Sequence, residues 1–173
     1  MGIVIDPLVP ADAPELSRSH SDVDNARYQL WASPLSVEEA LTFVGDQDPA
    51  SAFTPGSAEQ LAVRVADRRD LVGDLYVQRR ATEPHRIELG LTLVPGQHGR
   101  GLATAALGAV LAATVADPLI DIEEAVAITD VDNIRSRRLC ERAGFVEVEV
   151  LTGTGRRRDG SVVDEVMLRF ASA

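Results

Sequence analysis

The chain has 173 residues, 45% of them hydrophobic, a formal net charge of −10 and a pI near 4.7. That is enough for one domain with a core, too hydrophobic for disorder, and too acidic for a nucleic-acid surface. The longest uncharged apolar run, Gly101 to Ala116, is too short for a transmembrane span, and the single cysteine, Cys140, excludes an internal disulfide framework.

"IVIDPLV" reads as an opening strand, and "PADAPELSRSHSD" as a first helix with Asp12 as its cap. In "SVEEALTFVGD", Ser36 and Glu39 form a capping box, and Val37, Ala40, Leu41 and Val44 share one helical face. The Pro, Gly and Ser of Asp46 to Glu59 predict a long loop, a candidate for shaping a substrate entrance. Three strands follow, "QLAVRVA", "LVGDLYVQRR" and "RIELGLTLV", joined by "RRD" and "ATEPH". Their short connections imply antiparallel pairing. In the third, Ile87, Leu89 and Leu91 face one way, and Glu88, Gly90 and Thr92 the other.

After a glycine-rich stretch come a long uncharged helix, a strand "EEAVAITD", a helix "NIRSRRLCERAG", and two strands, "FVEVEVL" and "VVDEVMLRF". "RRRDG" between the last two reads as a hairpin turn around Asp159 and Gly160, its arginines needing no ligand. Antiparallel strands followed by a β–α–β–α–β run predict an α+β domain around one mixed sheet. With no basic leader in "MGIVIDPLVP", the expected location is the cytoplasm.

The glycine-rich stretch is "VPGQHGRGLATAAL", Val94 to Leu107. A strand, a glycine turn and a helix together put unpaired backbone N–H groups and the positive end of a helix dipole where a phosphate could bind. Gly99 and Gly101 would let the backbone approach such a ligand, and His98 and Arg100 could add positive charge. The plain alternative is a turn that needs glycine for positive φ, which accounts for one glycine more easily than for three. A lysine P-loop is excluded, because all 17 basic residues are arginine. A dinucleotide fingerprint begins at Gly99 and Gly101 but has Thr104 where its third glycine belongs. Asp130 could then imitate the ribose-binding acid, although half of a doubly wound sheet would be missing.

His98-Gly99-Arg100-Gly101-Leu102-Ala103 is similar to the [Gln/Arg]-x-x-Gly-x-[Gly/Ala] signature of the GNAT N-acetyltransferase superfamily, with His98 departing from its first position. "NIRSRRLCERAGF", Asn133 to Phe145, resembles that family's N-x-x-[Ala/Ser]…Gly-Phe segment. Strand order, the "DPLVPADAPEL" opening and the "ELGLTL" strand resemble the branch acting on ribosomal-protein and other N-termini. The resemblance covers nearly the whole chain. It implies one domain over residues 1–173, with a mostly antiparallel twisted sheet of about seven strands flanked by about four helices.

It also implies acetyl transfer from acetyl-CoA to a primary amine by direct attack, without a metal; His20, His85 and His98 have no clustered ligand spacing. Residues 98–103 would hold the pyrophosphate, and the strand ending at Leu93 and Val94 would splay from its parallel neighbour to receive the pantetheine arm. Asn133 matches a position that hydrogen-bonds pantetheine, and Ser136 one that protonates the thiolate. The tyrosine that many members use as general acid is replaced by Cys140, more simply read as a small buried hydrophobe. Arg135, Arg137, Arg138 and Arg142 form a charged face from which one could reach the CoA 3′-phosphate.

Glu88, on the polar face of its strand, is the candidate base, its alternative being an ion pair with Arg86 or another arginine. Asn133 could equally be a helix cap, and Ser136 a serine bonding back to a carbonyl. The acceptor could be a protein N-terminus, an amino sugar or a small amine. The family's homodimers make a dimer one assembly the resemblance allows; neither nucleic acid nor membrane is expected as a partner. A catalytically silent acyl-CoA-binding module is the rival reading, with a dinucleotide-binding protein behind it.

Overall fold

Strands form where apolar residues alternate, and helices where they share one helical face. The computed structural model describes residues 2–29, 31, 34–67, 69–116 and 120–171. Its elements are β1 (Ile3–Pro7), a 3-10 turn (Pro10–Asp12), α1 (Ala13–Ser21), α2 (Val23–Ala26), α3 (Val37–Gly45), β2 (Ser57–Val65), β3 (Leu71–Arg79), β4 (Arg86–Leu93), α4 (Leu102–Ala116), β5 (Glu124–Asp130), α5 (Ile134–Arg142), β6 (Val146–Arg156) and β7 (Val162–Ala171). The strands form one sheet in the order β1-β2-β3-β4-β5-β7-β6, in which only β4 and β5 pair in parallel. This is the α+β architecture the sequence implies.

Both faces of the sheet are apolar. On one, Val63, Leu75, Val77, Ile87 and Leu89 form a core with Ala106, Leu107, Val110 and Leu111 of α4, and with Cys140 and Phe145. On the other, Ala62 packs with Leu8, Leu16, Ala40 and Val44 beneath α1 and α3. α4 needs no charge because its exposed positions among the described side chains, Ala105, Gly108, Ala112 and Ala113, are small.

The capping box forms as read: the Ser36 hydroxyl accepts the Glu39 N–H at 3.1 Å, and Glu39 accepts the Ser36 N–H at 2.7 Å. Asp12 does not cap α1. Its carboxylate accepts the Val9 N–H at 2.9 Å and forms a two-pronged pair with Arg64, at 2.8 and 2.6 Å, so a distant charge takes the group that local sequence assigned to the helix end. α2 is a helix the pattern did not predict; it is a single turn started by Asp22, which accepts the Asn25 N–H at 3.0 Å.

The long loop ends at Gly56, because Ser57 to Glu59 already pair with Arg79 to Val77. Arg79 fastens it by donating to the carbonyls of Phe53 and Pro84, at the opposite end of β4 from the glycine stretch. Of the "RRD" turn, Arg68 lies outside the described residues, and Arg69 takes a φ of 60°.

Candidate functional site

β4 and β5 pair over only three rungs, Arg86 with Glu124, Ile87 with Ala125, and Glu88 with Val126. Beyond Glu88 they diverge, β4 continuing along β3 and β5 along β7. Hydrogen-bond phase shows what faces the gap. The Val94 N–H donates to Val72, so even-numbered β4 residues bond to β3, and Leu91 and Leu93 turn backbone groups the other way. The Val131 N–H donates to Asp164, so by the same alternation Ile128 on β5 turns its backbone toward β4. Two strands therefore present ladder groups to a wedge instead of to each other. Gly73 helps to draw β4 aside, since a Cβ there would run into the Thr92 carbonyl oxygen.

The wedge opens onto the glycine stretch. Gly96, Gly99 and Gly101 have φ of 85°, 74° and 75°. The turn conformation alone thus calls for all three glycines, where the sequence pattern suggested one. A Cβ at any of them would meet nothing within 4 Å, so the loop presents bare backbone to open space. The first α4 bond runs from the Ala105 N–H to the Gly101 carbonyl, leaving the N–H groups of Leu102, Ala103 and Thr104 at the helix start without intrahelical partners. This end suits an anion. His98 and Arg100 are exposed beside it, Arg100 bonded to the Gln97 side chain. Val94 spends its N–H on Val72 and its carbonyl on Gln97, so the strand's free backbone groups lie at Leu91 and at the Leu93 N–H.

On the other arm, Asn133 starts α5 with its Oδ1 accepting the Ser136 N–H at 3.2 Å. The cap role is real, and it leaves the Nδ2 donor for a second partner. Asp130 is bound by Arg157 at 2.8 and 3.1 Å, and Arg157 reaches Asp132 at 2.7 Å. Burial opposes the Asp130 charge, but Arg157 and the Asp132 N–H outweigh it and hold the carboxyl below its ordinary range. Arg157 belongs to the hairpin turn whose arginines looked idle, and Asp130 is occupied by it rather than open to a ribose. On α5, Arg137 is held by Glu147 and the Val131 carbonyl, which leaves Arg135, Arg138 and Arg142 as the exposed cations of that helix.

Cys140 is buried in the main core, and burial pushes its thiol up to about 11, with a Ser136 hydrogen bond opposing the rise. Such a thiol is a poor thiolate. Folded protein at pH 8 is expected to resist a thiol reagent that labels urea-unfolded protein within minutes; rapid labelling of the folded form would contradict this burial.

Glu88 stands on the last rung, half-buried, and accepts from Arg80 at 3.1 Å, while Arg80 also donates to Gln78. The ion-pair alternative therefore holds, with Arg80 rather than Arg86 as partner. Tyr76, which the sequence did not single out, lies across the strand from Gly90; a Cβ at Gly90 would touch the Tyr76 Cβ at 3.4 Å. Burial raises the Tyr76 phenol, and the Glu88 charge raises it further against the opposing effect of Arg80. Tyr76 and Glu88 thus share one face at the apex of the wedge.

Residues 3–146 match the family described as "Acetyltransferase (GNAT) domain". The chain belongs to the GNAT acetyltransferase family. GNAT folds also head its structural similarities. An acetyltransferase of the GNAT family from Bacillus anthracis superposes with a TM-score of 0.84 at 18% identity, covering 99% of this chain and 95% of that one. The microcin self-immunity acetyltransferase MccE, solved with acetyl-CoA and AMP, gives 0.85 at 17% identity over 99% and 93%. Spermidine N-acetyltransferase from Vibrio cholerae, solved with CoA and spermine, gives 0.79 at 16% identity over 98% and 95%. No curated protein matches the chain in sequence.

The GNAT sheet, with one parallel pair, is not a doubly wound dinucleotide fold. Among the described residues, no cluster of three or more His, Cys, Asp or Glu could hold a metal, and no helix is long and apolar enough to cross a membrane.

Proposed function

We propose that this GNAT chain is an N-acetyltransferase that moves the acetyl group of acetyl-CoA to a primary amine by direct attack. The observation that carries the reading is the wedge between β4 and β5, which opens onto the bare N-terminus of α4. A pyrophosphate would sit on the backbone of residues 98–103, with His98 and Arg100 beside it. The pantetheine amides would bond to the free groups of Leu91 and Leu93, and to the Asn133 Nδ2. Holding both reactants in one slot supplies much of the rate, and backbone N–H groups can bind the developing oxyanion.

Ser136, one turn into α5, is the donor proposed for the leaving thiolate. Glu88 is the proposed base: once an amine approaches the apex, its carboxylate can exchange Arg80 for the incoming N–H. The acceptor's class remains a primary amine, and the MccE and spermidine enzymes suggest no common one, being solved with AMP and with spermine.

The test is a thiol-release assay with acetyl-CoA over a panel of amines, run on wild type, Glu88→Gln and Ser136→Ala. Each substitution is expected to lower kcat by about a hundredfold, the scale of lost acid–base assistance. An active acceptor with both variants at wild-type turnover would remove these two roles. Calorimetric binding of acetyl-CoA with no thiol release on any amine would favour the silent acyl-CoA-binding module, the reading that Cys140 in the tyrosine's place supports.

A further inference from the structure

Three rungs hold β4 to β5, and outward of them the sheet itself does not join the two arms of the wedge. A short segment from the opposite face does. The Asn25 Nδ2 on α2 donates to the Leu93 carbonyl at 2.9 Å, at the open end of β4. Three residues on, the Tyr28 hydroxyl donates to the Asp132 carbonyl at 3.2 Å, in the turn between β5 and Asn133. α2 and the turn that follows it thus touch both arms.

Each end of this strap is secured. Asn25 also donates to Ser19, at its carbonyl and hydroxyl, and its own N–H is taken by Asp22. Ala26 between the two contacts is buried. The guanidiniums of Arg27 and Arg157 lie over the Tyr28 ring, at 5.3 and 5.8 Å from its centroid. Arg157 in turn clamps Asp130 and Asp132, so the carbonyl that Tyr28 holds lies in a fixed turn. Further along, the Trp31 ring stacks on His20 at 4.1 Å and its indole N–H donates to the His20 carbonyl, returning the segment to α1.

We propose that Asn25 and Tyr28 are positioning residues that fix the width of the wedge, and so preorganise the slot for acetyl-CoA. The proposal rests on the acetyltransferase reading for its ligand, but not for its geometry. β3 and β7 hold the arms from outside, but only three rungs set the distance between them, so the mouth of the wedge can sway open, and a ligand that must narrow that motion binds less tightly. The strap removes the sway beforehand. Neither side chain touches the reacting atoms, so the effect falls on binding.

Tyr28→Phe, which keeps the ring's contacts with Arg27 and Arg157, and Asn25→Ala are each expected to raise the KM for acetyl-CoA about three- to tenfold, the scale of one lost hydrogen bond, with kcat within about twofold. The double variant carries the sharper expectation. Releasing either end frees the strap, so the pair should be no worse than the weaker single variant, whereas two independent contacts would multiply. In ligand-free protein, hydrogen exchange at the Val94 and Val131 amides, hydrogen-bonded at the outer ends of the two arms, should quicken in both single variants relative to β2 amides, which separates the strap from general unfolding.

Multiplying effects, an unchanged KM, or tighter binding by Asn25→Ala would each overturn the strap. The last would mean that Asn25 merely occupies the Leu93 carbonyl until a ligand displaces it. If wild type fails to bind acetyl-CoA by calorimetry, the acetyltransferase reading fails instead, and the exchange experiment still decides the strap.

Discussion

Gly101→Ala is expected to weaken acetyl-CoA binding at least tenfold while costing only about 1 kcal/mol of stability. The two effects have separate causes. At a φ of 75° any L side chain is strained, which sets the stability cost. The added Cβ meets no protein atom within 4 Å, so nothing in the fold itself magnifies that cost. It enters open space at the residue next to the α4 N-terminus, whose N–H groups at Leu102 to Thr104 would contact a pyrophosphate. A methyl between those donors and the phosphate oxygens lengthens several charge-assisted bonds at once.

Gly99→Ala should behave alike. Gly96→Ala is the control: its φ is 85° and its surroundings are equally open, but it lies further from the helix start. It should therefore show the stability loss without the affinity loss. Thermal unfolding and calorimetry with acetyl-CoA read the two quantities separately. If Gly101→Ala binds acetyl-CoA as wild type does, the loop is a turn and not a cradle.

Asp12→Ala is expected to destabilise the fold by about 3–5 kcal/mol, a large share of a typical domain's stability. Asp12 and Arg64 are each 7% exposed at the side chain and meet through two parallel hydrogen bonds. Arg64 also donates to the Pro7 carbonyl at 3.2 Å, and Asp6 stands 3.5 Å from its Nε. The pair with Asp12 raises the Arg64 pKa against the opposing effect of burial. Removing Asp12 strands a buried guanidinium and also frees the Val9 N–H at the start of the 3-10 turn.

Most of that cost is the penalty of the orphaned charge, so replacing both partners, as Asp12→Leu with Arg64→Met, should be much milder than either single change. Urea unfolding measures the series. A loss below about 1 kcal/mol for Asp12→Ala would mean that Asp6 or water takes over the pairing. The pair joins β2, two strands removed from β4, to the segment before α1.

Local signals were readable where the partner lies within one helical turn. The Ser36–Glu39 box and the Asn133 cap each join residues three apart, and their residue types announce the bond. Asp12 carried the same local signal and misled, because Arg64, 52 residues on, competes better for its carboxylate than an N–H at a helix end. Arg157 looked like turn decoration for the same reason: its acids, Asp130 and Asp132, come from another strand's end.

The site divides along that line. Sequence alone determined the glycine loop at the start of α4, the alternation that makes the strands, and the Asn133–Ser136 spacing, because each depends on backbone preferences and side chains close in the chain. Only the tertiary structure decided where the β4–β5 ladder stops, that Tyr76 lies beside Glu88 at its apex, and that α2 and the turn after it tie its arms together. Those features need strands and turns far apart in sequence to meet, and a hydrogen bond between Tyr28 and Asp132 leaves no mark on the residues adjacent to either.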